Sequence, residues 1–176
     1  MEETTTTDNP SIYVACLAAY NNGILHGAWM DAAQEPWALY DDVKAMLAAS
    51  PIAGAEEFAI HDYEGFGGVR LEEYTGLDTV AGLAAFIAEH GAVGAALLDH
   101  FSGDMEEARE AMADRYLGAH ASLADYVQDV TEETTTIPQA LRYYIDYRAM
   151  ARDAEINGDV FTVSTAYDVV HVFAGC

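Results

Sequence analysis

From Ser11 onward, the spacing of apolar and polar residues changes character several times, and each change marks an element. Ser11 to Leu17 (SIYVACL) is a β-prone run, Asn21-Asn22-Gly23 supplies a turn, and Leu25 to Met30 (LHGAWM) can return as a second strand, so the opening reads as a hairpin. Trp37 to Ala49 carries Leu39, Val43, Met46 and Leu47 at helical spacing, and Ser50-Pro51 stops it. Glu57 to Asp62 (EFAIHD) reads as a third strand, closed by the turn Gly65-Phe66-Gly67-Gly68. The pattern then becomes purely helical. Asp78 can cap a helix with Val80, Leu83 and Ile87 on one face, ending at Gly91; Val93 to Phe101 forms another, and a third starts at Asp104. Beyond it, helices are predicted over about Ser122 to Val130 and Pro138 to Glu155, with Pro138 suited to a helix start. Val160 to Thr165 and Val169 to Phe173 are β-prone, and Thr131 to Thr136 is a polar connector.

This alternation predicts an α+β fold in three small units. Residues 1–73 hold a sheet with one helix, 74–115 are all helical, and 116–176 are again mixed. No internal repeat occurs at a fixed period.

Composition changes the picture through charge. The 176 residues are 52% apolar, with 11 Tyr, 6 Phe and 2 Trp, enough for a packed core and unlike an acidic disordered chain. Yet 30 Asp and Glu face only 7 Lys and Arg, a formal net charge of -23. Residues 1–108 hold 19 acids against Lys44 and Arg70. Such a surplus repels nucleic acid and anionic membrane and attracts basic clefts. Duplex DNA carries one charge per ~1.7 Å of axis, so the surplus equals that of ~40 Å of duplex.

The carboxylates also fall in rows. Glu106, Glu110 and Asp114 lie at i, i+4 and i+8; Asp125 and Asp129 repeat the spacing, and Asp146 and Asp153, seven apart, share a face of the last long helix. Like charges at i, i+4 cost a helix ~0.2 to 0.5 kcal/mol, so helix stability does not favour these rows. Any single row can equally be a solvated face, and salt-adapted chains drop lysine as well. The excess taken together favours a surface that imitates the phosphates of DNA and competes for a channel without matching any base sequence.

Other chemistry finds little support. His61-Asp62 is an isolated pair whose side chains would point to opposite faces of a strand, without a second ligand cluster. Gly65 to Gly68 lacks the Lys and Ser or Thr of a phosphate loop. Ser102-Gly103-Asp104 has no nearby histidine base, and Asp99 to Glu107 lacks calcium-loop spacing. No catalytic residue, metal or cofactor is expected. Tyr143, Tyr144 and Tyr147 read as core packing or a dimer seam on one helix. The opening MEETTTTDNP is acidic and hydroxyl-rich, a floppy leader rather than a secretory signal. Ala92 to Leu98 is far short of the ~20 apolar residues of a membrane span. Cys16 and Cys176 imply no disulfide framework, which suits a reducing cytoplasm.

Three stretches carry a resemblance that runs from Ile12 to Phe173. They are Ile12-Tyr13-Val14 with Tyr20-Asn21 and Gly27-Ala28-Trp29; Glu56 to Phe66, with its Asp62-Tyr63-Glu64; and Ile137-Pro138, Leu141, Tyr144 to Tyr147, Ala151-Arg152-Asp153 and Phe161. In their order and spacing the chain resembles the ArdA antirestriction proteins. The resemblance implies an elongated, curved body of three units, the last pairing two chains. It also implies a target, the methyltransferase core and complete complex of type I restriction and modification enzymes, blocked so that mobile DNA survives. The acidic surface expected to face that enzyme comprises Glu56, Glu57, Asp62, Glu64, Glu72, Glu73, Glu106, Glu110, Asp114, Asp125, Asp129 and Asp153. The segment expected to serve antirestriction or dimer contacts holds Pro138, Leu141, Tyr144, Asp146 and Tyr147. The middle unit departs from this pattern: it is rich in Ala and Gly, with few acids between Glu73 and Asp99. The expectation is therefore a cytoplasmic homodimeric inhibitor that binds neither nucleic acid nor membrane. The rivals are a salt-adapted enzyme or ligand-binding domain, and an acidic chaperone of a basic DNA-associated protein.

Overall fold

The structure, a computed structural model, describes residues 9–175; residues 1–8 of the acidic opening and Cys176 lie outside the described residues, while Pro10, at the end of that opening, is buried. Its contacts group the chain into two compact units, Met1–Met105 and Glu106–Cys176. Each contains a three-stranded antiparallel sheet with helices, so the fold is α+β.

The first sheet follows from period-two alternation. In β1 (Ser11–Cys16), Ile12 and Val14 are fully buried while Ser11 and Tyr13 turn to the other face. Strand β2 (Gly27–Asp31) and β3 (Phe58–Glu64) flank it on either side, giving the order β2-β1-β3. The connection from β1 to β2 differs from the expected tight hairpin. Leu17–Asn21 wind into a short helix, α1, before the turn at Asn22-Gly23. Ile24 N–H then returns to the Ala19 carbonyl at 2.9 Å, and the Asn22 side-chain amide donates to the Ala18 carbonyl at 2.7 Å. Leu-Ala-Ala are good helix formers, and the Leu17 amide, hydrogen-bonded to the Glu57 carbonyl at 3.0 Å, is already leaving the β1–β2 ladder.

Helix α2 (Pro36–Ala48) begins with Pro36, whose fixed φ and missing N–H suit the first turn, and buries Leu39, Val43 and Met46. It packs on α3 (Leu77–His100), which buries Val80, Leu83, Phe86, Ile87, Leu97 and Leu98. The two helices expected on either side of Gly91 are both present, joined across a kink where Gly91 takes φ 66° and ψ -145°. Gly76, not Asp78, occupies the cap; Asp78 sits in the first turn, where the helix dipole favours a carboxylate. By length and composition alone α3 could cross a membrane, but half of its most apolar window is buried inside the fold, as in the core helix of a globular unit.

In the second unit, α4 (Met105–Glu110) runs into a π-helical turn at Ala111–Arg115 and then into β4 (Tyr116–His120), a strand the sequence pattern did not reveal. Strands β5 (Val160–Ala166) and β6 (Val169–Ala174) complete a sheet of order β4-β6-β5. Its core is aromatic: Phe173 stacks on Phe161 with centroids 5.0 Å apart and meets Tyr116 at the same distance. Helix α5 (Leu123–Thr134) is capped by Ser122, whose hydroxyl accepts from the Asp125 amide at 3.1 Å.

The single helix expected over Pro138 to Glu155 is two elements, a 3-10 helix at Gln139–Tyr144 and α6 at Tyr147–Ile156. The break lies at Asp146, which leaves helical geometry with φ -91° and ψ 86° and accepts from the Ala149 amide at 3.0 Å. A carboxylate able to cap a new helix competes with continuing the old one. Asp146 thus caps α6 while Asp153 rides on it, so the two are not interior members of one long helix.

Candidate functional site

Every Asp and Glu among the described residues is exposed, including all twelve carboxylates assigned from the sequence to an enzyme-facing surface. They group by element. Glu106, Glu110 and Asp114 lie along α4 and the π turn while Ala108 and Ala111 turn inward. An ideal α-helix carries an i, i+4 row slowly round its axis; the wider π turn rotates less per residue and offsets that drift. Beside this row, Glu107 binds the largely buried Arg115 at 3.3 Å, and the Arg115 guanidinium lies 5.9 Å from the centre of the Phe161 ring. That base anchors the helix to its own sheet.

On α5, Asp125 and Asp129 are joined by Glu132 one turn on, a member the spacing already offered but the sequence reading left out. Asp125 has a second role, because its carboxylate accepts from the Ser122 hydroxyl at 2.8 Å and so steadies the helix start. Asp153 shares α6 with Arg148 and Arg152, so that helix presents both signs of charge.

In the first unit, Asp62 and Glu64 belong to the outward face of β3, whereas Glu56 and Glu57 precede it and Glu72 and Glu73 follow the glycine turn. A bulge interrupts β3: Tyr13 pairs with Asp62 but Val14 with Ile60, so His61 is the extra residue. The reason given for opposite faces at His61 and Asp62 thus does not hold, since both are exposed. His61 instead meets Tyr20 edge-on at 5.0 Å. No group of three or more His, Cys, Asp or Glu among the described residues could hold a metal. In the Gly65 to Gly68 turn, the Asp99 carboxylate lies so close to Gly68 that an added Cβ would stand 2.7 Å from it, and a carboxylate there opposes phosphate.

The register across the first sheet assembles a row the sequence reading missed. Ser11 pairs with Asp31 on one side and Glu64 on the other; Tyr13 pairs with Trp29 and Asp62 in the next row. Paired residues share a face, so Asp31, Glu64 and Asp62 stand with Ser11, Tyr13 and Trp29 on the side turned away from Ile12 and Val14. Tyr13 and Trp29 touch, with ring centroids 5.6 Å apart. The only available signal was the alternation Ser11/Tyr13, Trp29/Asp31 and Asp62/Glu64, which needs strand pairing to become a surface.

The tyrosine group of the second unit also divides. Tyr143 and Tyr144, on the 3-10 helix, are 87% and 84% exposed and Leu141 is exposed too, whereas Tyr147 is half-buried at the start of α6. Core packing is thereby excluded for Tyr143 and Tyr144. Pro138 precedes this exposed stretch and Asp146 closes it.

One buried histidine stands apart from the acidic surface. His171 Nδ1 lies 2.7 Å from Tyr116 Oη and its Nε2 3.0 Å from Thr165 Oγ1, so both nitrogens are hydrogen-bonded, one donating and the other accepting in the neutral ring. Burial holds its pKa below the ordinary histidine value and pushes that of Tyr116 up, so both stay neutral at neutral pH.

Compared with known proteins, residues 12–169 match the family model described as Antirestriction protein (ArdA). A search of curated proteins gave no match.

Proposed function

Because this chain belongs to the ArdA family of antirestriction proteins, we propose that it blocks type I restriction and modification enzymes by placing its carboxylates where the phosphates of DNA would lie. The family is one of inhibitors, and the proposed action needs no catalytic group. The observation that carries the reading is the exposure of every described carboxylate on a chain of net charge -23, in rows along α4, α5 and the outer face of the first sheet. A basic channel meeting those rows releases its own counterions much as it does on DNA, and base sequence plays no part.

The partner is the methyltransferase core of the enzyme, the location is the cytoplasm, and the working form is a homodimer. Pairing of chains is supported by the exposed Leu141, Tyr143 and Tyr144, large apolar side chains that a single copy leaves in water. The division at 73/74 and 115/116 belongs to the same reading, supported by the purely helical run that separates the two sheets in chain order.

The test adds purified protein to a type I enzyme and measures DNA cleavage and methylation at several salt concentrations. Near-stoichiometric inhibition of both, weakening as salt rises, is expected. An enzyme that cleaves and methylates unhindered at low salt rejects the proposal.

A further inference from the structure

The outer face of the first sheet carries a concavity of about 470 Å³ lined by Asn9, Ser11, Trp29, Met30, Asp31 and Glu64. Its construction follows from the register. Ser11, a small residue on the central strand, forms the floor between Asp31 on β2 and Glu64 on β3. With strands ~4.8 Å apart, the two acidic residues stand ~10 Å from each other across it. Trp29, 49% exposed and braced by Tyr13, closes one side. Asp31 is held in place, accepting from the Ala33 amide at 2.8 Å and from the Asn9 side chain at 3.4 Å. No basic side chain of the described unit is ion-paired to Asp31 or Glu64; Lys44 reaches Asp41 instead.

We propose that this cradle receives an arginine side chain from a basic protein surface. The inference rests on the reading above, in which that surface is the DNA-binding channel of the restriction enzyme. Two carboxylates across a narrow floor match a planar guanidinium with five N–H donors, which binds carboxylates in forked pairs. The indole beside them offers a face on which a guanidinium stacks, and Trp is the strongest such platform. An ammonium gains less, being a compact and strongly hydrated point charge. The site thus adds a preference for arginine to an otherwise diffuse attraction.

Trp29 and Trp37 are the only tryptophans, and Trp37 is exposed at the start of α2, so Trp37→Phe leaves Trp29 as a single fluorescent reporter. This protein is titrated at low salt with an acetylated, amidated (Gly-Arg)3 peptide and with its lysine counterpart. The expected result is a change in Trp29 emission, with arginine bound about threefold or more tighter than lysine. Asp31→Asn with Glu64→Gln should weaken the arginine peptide about tenfold and remove the preference. Ser11→Tyr, which fills the floor at unchanged charge with a strand-favouring residue, should do the same. Equal binding of the two peptides, or Ser11→Tyr binding arginine as tightly as its parent, overturns the cradle. With the enzyme itself, Ser11→Tyr should raise the concentration needed for half inhibition. Undiminished inhibition by that variant removes the enzyme's arginine from the cradle while leaving inhibition intact. Failure of the parent to inhibit removes the earlier reading instead, and the peptide titration still decides the cradle.

Discussion

Gly27 illustrates how one residue joins sequence to packing. Tyr13 lies diagonally across it, so a Cβ at position 27 would stand 2.5 Å from the Val14 carbonyl oxygen and 2.7 Å from Tyr13 Oη. The Gly27-Ala28-Trp29 run thereby leaves room for one aromatic ring and supplies another beside it. Gly27→Ala forces the backbone to give way, and a loss of ~1 to 3 kcal/mol is expected, read as a lower urea midpoint. An unchanged midpoint would show that the strand backbone and the Tyr13 ring both shift without cost. His171 makes the second residue-scale prediction. Its folded-state pKa is depressed, so an unfolded chain, with a histidine near ~6.5, takes up the proton first as pH falls. The stability gained from the neutral ring is complete above about 6.5 and is lost as pH drops from there through the lowered folded value. Urea midpoints between pH 7.5 and 5 should fall for the parent more steeply than for His171→Gln, which can still hydrogen-bond but does not titrate. Parallel curves would assign the acid sensitivity elsewhere.

At the scale of elements, Asp146 is a helix cap before it is a charge. Asp146→Ala should cost ~1 kcal/mol of stability, whereas Asp146→Asn keeps an acceptor for the Ala149 amide and should cost little. Equal losses from both would place the effect in charge rather than capping. The row on α4 and the π turn behaves in the opposite sense. Its like charges repel, so Glu110→Gln with Asp114→Asn should leave the fold as stable or slightly more so, and adding Glu106→Gln, which removes a first-turn carboxylate, completes a triple variant of the row. The same triple variant should weaken inhibition about tenfold, while single changes do far less, because exposed ionic contacts are worth ~1 kcal/mol or less each. Inhibition unaffected by the triple change would take this row out of the contact surface.

For the whole molecule, a net charge of -23 acts on folding and on binding with opposite signs. Self-repulsion opposes the compact state, and attraction to a basic channel assists association; salt screens both. Raising NaCl from 100 to 500 mM should therefore raise the thermal midpoint of the protein while weakening its inhibition of the enzyme. If the midpoint fell with salt, the carboxylates would have to be stabilised by partners of their own, contrary to their general exposure.

Much was readable before any tertiary contact was known, because it depends on local period and on composition. Runs of β-prone residues located β1, β2, β3, β5 and β6, helical spacing located α2 and the two halves of α3 around Gly91, and the charge excess required an exposed acidic surface whatever the fold. Where neighbours in space set the outcome, the linear pattern was silent. Strand β4 is too short and mixed to announce itself and exists because β6 offers it a ladder. The break at Asp146 depended on a contest between capping and helix continuation that propensity alone does not decide. The row of Asp31, Ser11 and Glu64 required three strands, distant in sequence, to pair in one register. Pattern along a chain determines which face a residue turns to water; only pairing between strands decides which residues share that face.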